Sequence, residues 1–145
     1  MISKCVEDTI NYGEKLGSLL KKGDCVVLEG ELAGGKTTFT KGIGKALGVK
    51  SIINSPTFNI LKIHKGNIDL YHIDAYRLEG NDYDLGFDEF LSEGVMVIEW
   101  PQYYEDYLPD AFLIFTFDLL GDSSRIITVS QKGHSFDWIV EEMSC

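Results

Sequence analysis

The sequence predicts one α/β domain of three layers, in which helices flank a mixed sheet with parallel strands at its centre and antiparallel hairpins beside them. Residues 25–28 and 95–98 are short, continuously apolar runs, which are typical of parallel strands buried on both faces. A glycine-rich turn and a helical pattern follow the first of these runs. Two further pairs of strand-like segments are each joined by a short turn, which predicts the hairpins.

The first half of the chain is predicted to form a helix, a strand, a second helix and a hairpin. Residues 6–20 place apolar or small side chains at helical spacing, and Lys21, Lys22 and Gly23 fit the basic last turn and glycine stop of a helix. After the strand at residues 25–28, residues 39–47 share one apolar helical face, which ends at Gly48. Residues 60–63 and 68–73 then flank a turn at residues 64–67, where His64 is expected to be a turn residue.

The second half has weaker patterns. Residues 80–94 are acidic and loosely periodic, so we expect a loop with a short helix there. Pro101 and Pro109 interrupt regular structure after the strand at residues 95–98. Residues 112–119 and 125–129 predict a hairpin around Gly121 and Asp122, and residues 136–143 predict a helix.

Composition limits the classes of function. Residues 1–145 are expected to form a single domain, since 44% of the side chains are hydrophobic and suffice for one core. The formal net charge of −10 argues against tight, direct binding of nucleic acid. Cys5, Cys25 and Cys145 lack Cys-x-x-Cys spacing, which fits a reducing compartment, and Cys25 is expected to be a small core residue. No apolar run approaches a membrane span, so we expect a cytoplasmic protein without membrane contact.

The strongest motif runs from Gly30 to Thr37 and fits G-x-x-x-x-G-K-[ST], with a predicted strand before it and a helix after it. Such a loop turns its backbone N–H groups onto phosphate oxygens, and the helix N-terminus adds partial positive charge. Lys36 would then contact the β- and γ-phosphates of ATP, and the Thr37 hydroxyl would bind Mg²⁺. The alternative is an ordinary glycine-rich turn with an exposed lysine. The residues predicted to contact the nucleotide here are Ala33, Gly34, Gly35, Lys36, Thr37 and Thr38.

Two acidic residues follow apolar strands, as a magnesium site requires. Glu99 ends the run at residues 95–98, and Asp74 ends residues 70–73, where it would orient or deprotonate an attacking water. Either acid is alternatively a solvated residue at a strand end. Thr57, in a Ser-Pro-Thr-Phe segment, lies where many nucleotide hydrolases carry a loop that senses the γ-phosphate. His72 is expected to be a hydrogen-bonded histidine rather than a metal ligand, because no third ligand has fitting spacing.

Four blocks together resemble the TsaE (YjeE) family, the ATPase component of the bacterial machinery for tRNA threonylcarbamoyladenosine. The blocks are LEGELAGGKTTF, SPTF, HIDAYR and IEWP, and the resemblance covers almost the whole chain. It implies a P-loop NTPase-like fold in which Thr37 and Glu99 hold Mg²⁺, Asp74 is needed for hydrolysis and Thr57 belongs to a nucleotide-sensing loop. It also matches Thr9 and Arg125 to family residues, Thr9 near the nucleotide and Arg125 late in the sheet. The chain departs from the family at Ala33 and Gly34, where the usual order is Gly then Ala.

The resemblance implies an ATPase, weak alone and stimulated by its partners, that works in a complex with TsaD and TsaB and reaches tRNA only through that complex. A binding module that ATP merely switches, with incidental turnover, is left open by the sequence. A small P-loop kinase would need several cationic side chains, whereas Arg77 and Arg125 are the only arginines. A GTPase would carry an Asn-Lys-x-Asp segment, which the sequence lacks.

Overall fold

The computed structural model describes residues 1–30, 35–50, 53, 61–74, 93–99, 109, 111–120 and 124–144. This part of the chain contains seven strands and three helices. None of these helices has both the length and the apolar character to cross a membrane. The strands are β1 (Ile2–Ser3), β2 (Cys25–Gly30), β3 (Leu61–His64), β4 (Asp69–Asp74), β5 (Gly94–Glu99), β6 (Phe112–Leu120) and β7 (Ser124–Lys132), and the helices are α1 (Val6–Leu19), α2 (Lys36–Ala46) and α3 (Asp137–Ser144).

All seven strands form one sheet in the order β1-β7-β6-β2-β5-β4-β3. β2 lies between β5 and β6 and is parallel to both, and β4 is parallel to β5. The hairpins β3–β4 and β6–β7 are antiparallel, as is the pairing of β1 with β7. The predicted mixed sheet with parallel central strands is therefore confirmed. β1 was not predicted, because a strand of two residues is too short to show an alternating pattern.

The central strands are buried on both faces, as their continuous apolar runs predicted. On one face Leu28 and Val97 pack in a single cluster with Phe39 of α2, and we call this side of the sheet the helix face. Val27 and Ile98, which alternate to the opposite face, are at most 1% exposed. Burial on both sides is what distinguishes a central parallel strand from an edge strand.

The helices α1 and α2 touch through their backbones. A Cβ atom at Gly13 of α1 would overlap the carbonyl oxygen of Phe39, and one at Gly42 of α2 would overlap the carbonyl oxygen of Ile10. One turn further along, a Cβ at Gly17 would lie 2.7 Å from the carbonyl oxygen of Ile43, so the two helices run side by side in the same direction. This packing places the first turn of α1 beside the start of α2.

Two local predictions were wrong. The helix α1 ends at Leu19, before the lysines, because residues 21–24 form a separate turn in which the Lys21 N–H donates to the Asp24 carboxylate at 2.8 Å. Burial raises the pKa of Asp24, although this hydrogen bond opposes the shift. His64 is not a turn residue: it ends β3, pairs with Leu70 and is only 2% exposed. Most of the loop and short helix expected at residues 80–94 lies outside the described residues.

Candidate active site

The site begins where β2 ends and α2 starts, at the carboxyl edge of the parallel strands. Gly35 immediately precedes α2 and has a φ of +93°, a left-handed conformation that glycine adopts without steric cost. Thr37 and Thr38 follow on the first turn of α2 and are half-buried. The N–H groups in the first turn of a helix have no partner within that helix, and together with the helix dipole they favour an anion there.

Lys36 is the charged residue at this turn, and it is buried. Its side chain is folded back so that Nζ donates to the carbonyl oxygen of Gly30 at 2.9 Å, and only 3% of the residue is exposed. The hydroxyl of Thr40 in turn donates to the Lys36 carbonyl at 2.9 Å. Lys36 is therefore not the exposed lysine that the alternative interpretation expected. The ammonium group lies at Gly30, where β2 ends.

Glu99 and Asp74 end neighbouring parallel strands at the same level of the sheet. They are register partners on β5 and β4, and Glu99 also pairs with Leu28 of β2, two residues before Gly30. Since Leu28 faces α2, Glu99 faces α2 as well, and it is 4% exposed. Glu99 is therefore not a solvated residue at a strand end. For Asp74 the structure describes the backbone position, and that alternative stays open.

A histidine holds Glu99 from the neighbouring strand. His72 Nε2 lies 3.0 Å from Glu99 Oε2, and the His72 ring is fully buried. A carboxylate only accepts, so the donor in this pair is assigned to His72 Nε2. The sequence predicts a hydrogen bond for His72 but does not identify its partner. The available signal was spacing: His72 lies two residues before Asp74, so it points to the same face of the sheet as the predicted acidic edge.

The first turn of α1 contributes a second polar group on the other side of Gly35. Thr9 is 4% exposed, and its Cγ2 methyl lies 3.7 Å from the position that a Cβ of Gly35 would occupy. Its Oγ1 lies 2.5 Å from Oγ of Ser3, whose own hydroxyl donates to the Cys5 carbonyl at 2.9 Å. Because Ser3 has one proton and uses it on Cys5, Thr9 must donate to Ser3. The lone pairs of Thr9 Oγ1 are thus left for accepting a hydrogen bond.

Arg125 belongs to the same side of the site. It lies on β7, is the register partner of Ser3 on β1, and is half-buried. One guanidinium nitrogen, Nη1, donates to the neighbouring Ser124 carbonyl at 3.1 Å. Ser3 was missed by the sequence analysis, and no spacing or motif marks it, because its contact with Thr9 depends on the unpredicted strand β1.

Among the predicted site residues that the structure describes, Gly35 to Thr38 form the start of α2 with Thr9 beside Gly35, Glu99 and Asp74 end β5 and β4, and Arg125 lies on β7. Three other predicted site residues, Ala33, Gly34 and Thr57, lie outside the described residues, so their placement stays a prediction. The Thr37 hydroxyl and the Glu99 carboxylate are hard oxygen donors of the kind that Mg²⁺ prefers. Magnesium usually takes one or two protein ligands and completes its shell with water and phosphate oxygens. The donor chemistry therefore fits a magnesium–nucleotide site.

The sequence is similar to one family of known proteins. The family described as "Threonylcarbamoyl adenosine biosynthesis protein TsaE" matches residues 3–127. The Bacillus subtilis (strain 168) protein named tRNA threonylcarbamoyladenosine biosynthesis protein TsaE is 41% identical over 95% of this chain and 89% of its own. The protein of the same name from Treponema pallidum (strain Nichols) is 40% identical over 89% of this chain and 98% of its own.

A solved structure is similar over nearly the whole fold. The crystal structure of Bacillus subtilis YdiB superposes with a TM-score of 0.84 and 34% sequence identity, covering 99% of this chain and 92% of that one. The family match spans most of the chain, and the sequence relatives and the superposition extend over nearly all of it. The chain belongs to the TsaE family.

Proposed function

We propose that this protein is a magnesium-dependent ATPase that supports threonylcarbamoyl modification of tRNA adenosine, in a complex with TsaD and TsaB. The observation that carries the nucleotide chemistry is the buried Lys36, held at Gly30 beside the start of α2. A lysine kept out of water at the mouth of a glycine-rich loop is suited to a polyphosphate rather than to the protein surface. Membership in the TsaE family supports the modification pathway.

Each side chain has a distinct part in this proposal. The backbone N–H groups of residues 33–38 surround the β-phosphate, and Lys36 neutralises charge on the β- and γ-phosphates. Thr9 accepts a hydrogen bond from the nucleoside, since its own proton is committed to Ser3. Arg125 supplies a cation on the same side, at the level of Ser3 in the sheet.

Thr37 and Glu99 would hold Mg²⁺, which supplies further charge neutralisation to the phosphates when it is bound. Asp74, level with Glu99 on the adjacent strand, positions or deprotonates the water that attacks the γ-phosphate. Thr57 belongs to the loop that responds to that phosphate. Hydrolysis then resets the complex with the modifying enzyme, while the net charge of −10 leaves contact with RNA to the partners.

The first test is nucleotide binding by Lys36→Met, which keeps most of the side-chain stem and removes the charge. We expect the affinity for Mg-ATP, measured by calorimetry, to fall by about 100-fold or more, because two charge-assisted contacts are lost. Lys41→Met, an exposed change on the same helix, is the matched control and should bind as the parent does. Equal affinity in Lys36→Met and the parent would contradict the proposed phosphate site.

The second test separates hydrolysis from binding. Asp74→Asn should bind Mg-ATP with an affinity close to that of the parent, yet fail to support tRNA modification over many turnovers with TsaD, TsaB and tRNA present. The measurement is modified tRNA formed per protein molecule. Full activity over many turnovers would show that hydrolysis at Asp74 is not required, and would favour a protein that ATP only switches.

A further inference from the structure

The hydrogen bond between the buried side chains of His72 and Glu99 indicates a role for His72 in the site as well as in packing. We propose that His72 is a positioning residue for the carboxylate that binds magnesium, acting through its Nε2–H on Glu99 Oε2. This inference rests on the proposed function, because it assigns a role to Glu99 in holding the metal ion. His72 itself would touch neither the nucleotide nor the metal ion.

The first support is the geometry of the pair. The Nε2 to Oε2 distance is 3.0 Å, His72 is fully buried, and Glu99 is 4% exposed. Within the residues that the structure describes, His72 is the hydrogen-bond partner of the Glu99 side chain. The bond therefore restrains the rotation of the carboxylate group, with Oε2 directed towards His72 on β4.

The second support is the free-energy cost of burying the His72 imidazole. Its other nitrogen, Nδ1, is buried with no hydrogen-bond partner among the described residues. A polar ring with one nitrogen unsatisfied is less favourable in a core than an apolar side chain of similar size. Leu70 and Val97 beside it belong to the apolar cluster of the helix face, and a second imidazole, that of His64 on β3, is buried on this face as well. Packing alone therefore does not account for a histidine here, whereas a directed donor for Glu99 does.

The third support is the placement of the pair within the sheet. His72 and Asp74 lie on the same strand, two residues apart, and Asp74 is the register partner of Glu99. A hydrogen bond between β4 and β5 one step inside the carboxyl edge ties together the two strands that present the acidic residues. Partners that orient metal ligands in this way commonly change metal affinity by about 10- to 100-fold when they are removed.

The test measures magnesium-dependent nucleotide binding. Calorimetry with a non-hydrolysable ATP analogue, with Mg²⁺ and with EDTA, gives the gain in affinity that the metal provides. In His72→Leu we expect that gain to fall by about 10-fold or more, with little change in the EDTA affinity. His72→Gln, whose amide nitrogen reaches the Nε2 position, should recover most of the gain.

A neighbouring histidine provides the matched control. His64 is also buried on the helix face, with its ring centroid 6.5 Å from that of His72, but it lies on β3, the strand that pairs with β4 on the side away from β5. His64→Gln should leave the magnesium-dependent gain unchanged, whatever it does to thermal stability. An equal loss in His64→Gln and His72→Leu, or no recovery in His72→Gln, would overturn the inference.

A measurement on the unmodified protein covers the case in which His72→Leu does not fold. In ¹⁵N spectra of histidine-labelled protein, His72 should show the proton on Nε2, and its resonances should move on adding Mg²⁺ to the analogue complex more than those of His64. An unprotonated Nε2, or unchanged His72 resonances, would overturn the inference. If the parent itself gains no affinity from Mg²⁺, the proposed metal role of Glu99 fails instead, which the same titration reveals.

Discussion

Two regions lie on either side of Gly35 and Lys36, and they differ in the secondary structure that forms them. On one side are the ends of β4 and β5, where Glu99 lies inside a parallel sheet and is held by His72. On the other side is the N-terminal region, formed by the two-residue strand β1 and the first turn of α1, which carries Ser3 and Thr9. We call them the strand side and the N-terminal side.

The difference in construction between the two sides indicates that they have different roles in the site. The strand side places a carboxylate where solvent is excluded, and it depends on strands paired on both edges. The N-terminal side presents neutral hydroxyls and depends on an edge strand of two residues and on helix packing. We therefore expect the strand side to govern the response to magnesium, and the N-terminal side to govern nucleotide affinity whether or not the metal is present.

The largest expected contrast concerns how well the interior of the parallel sheet, which carries the strand side, and the N-terminal side are shielded from solvent, and one cysteine in each place reports it. Cys25 opens β2 and is fully buried, and burial, with a smaller contribution from Asp24, raises its thiol pKa to about 12. Only the thiolate reacts with iodoacetamide, so at pH 8 about one Cys25 in ten thousand is reactive. Cys5, just before α1, is exposed. Peptide mass spectrometry should find Cys5 alkylated about a thousandfold faster or more, and comparable rates would contradict the described burial.

The next effect tests how the N-terminal side is attached to α2. Gly13→Ala places a methyl group against the Phe39 carbonyl oxygen, and overpacking of this kind typically lowers the free energy of unfolding by about 1–3 kcal/mol. The measurement is urea denaturation. Asn11→Ala, at an exposed position on the same helix, should leave stability unchanged or raise it slightly. If both variants were equally stable, the close backbone contact of the two helices would be wrong.

The smallest effect separates the two sides by their response to metal. Thr9→Val keeps the methyl group near Gly35 and removes the hydroxyl, so we expect ATP affinity to fall about two- to tenfold, the value of one hydrogen bond. The factor should be the same with Mg²⁺ and with EDTA. Glu99→Gln is the comparison, since its effect should appear only with Mg²⁺. A loss in Thr9→Val confined to the magnesium form would remove the proposed division between the sides.

The strand side was largely predictable from sequence, and the N-terminal side was not. The continuous apolar run before Glu99 and the mostly apolar residues 70–73 before Asp74 identify buried strands and their carboxyl ends, because a strand covered on both faces carries mainly apolar side chains. Ser3 and Thr9 carry no such signal, since β1 gains its structure only by pairing with β7, far along the chain. The hydrogen bond of His72 likewise required the parallel register of β4 and β5, which residue spacing alone does not supply.

The close backbone contact of α1 and α2 at Gly13 and Gly42 leaves the two helices little freedom to move relative to each other. Side chains that interlock can change rotamer and absorb a small displacement, but backbone resting on backbone has no such freedom. A shift in the first turn of α2 must therefore carry α1 with it. Lys15 of α1 donates to the Glu142 carbonyl on α3 at 2.9 Å, so the motion has a path to the helix on the far side of α1. The contact at Gly13 and Gly42 thus couples the proposed nucleotide site, through α1, to a helix at the protein surface.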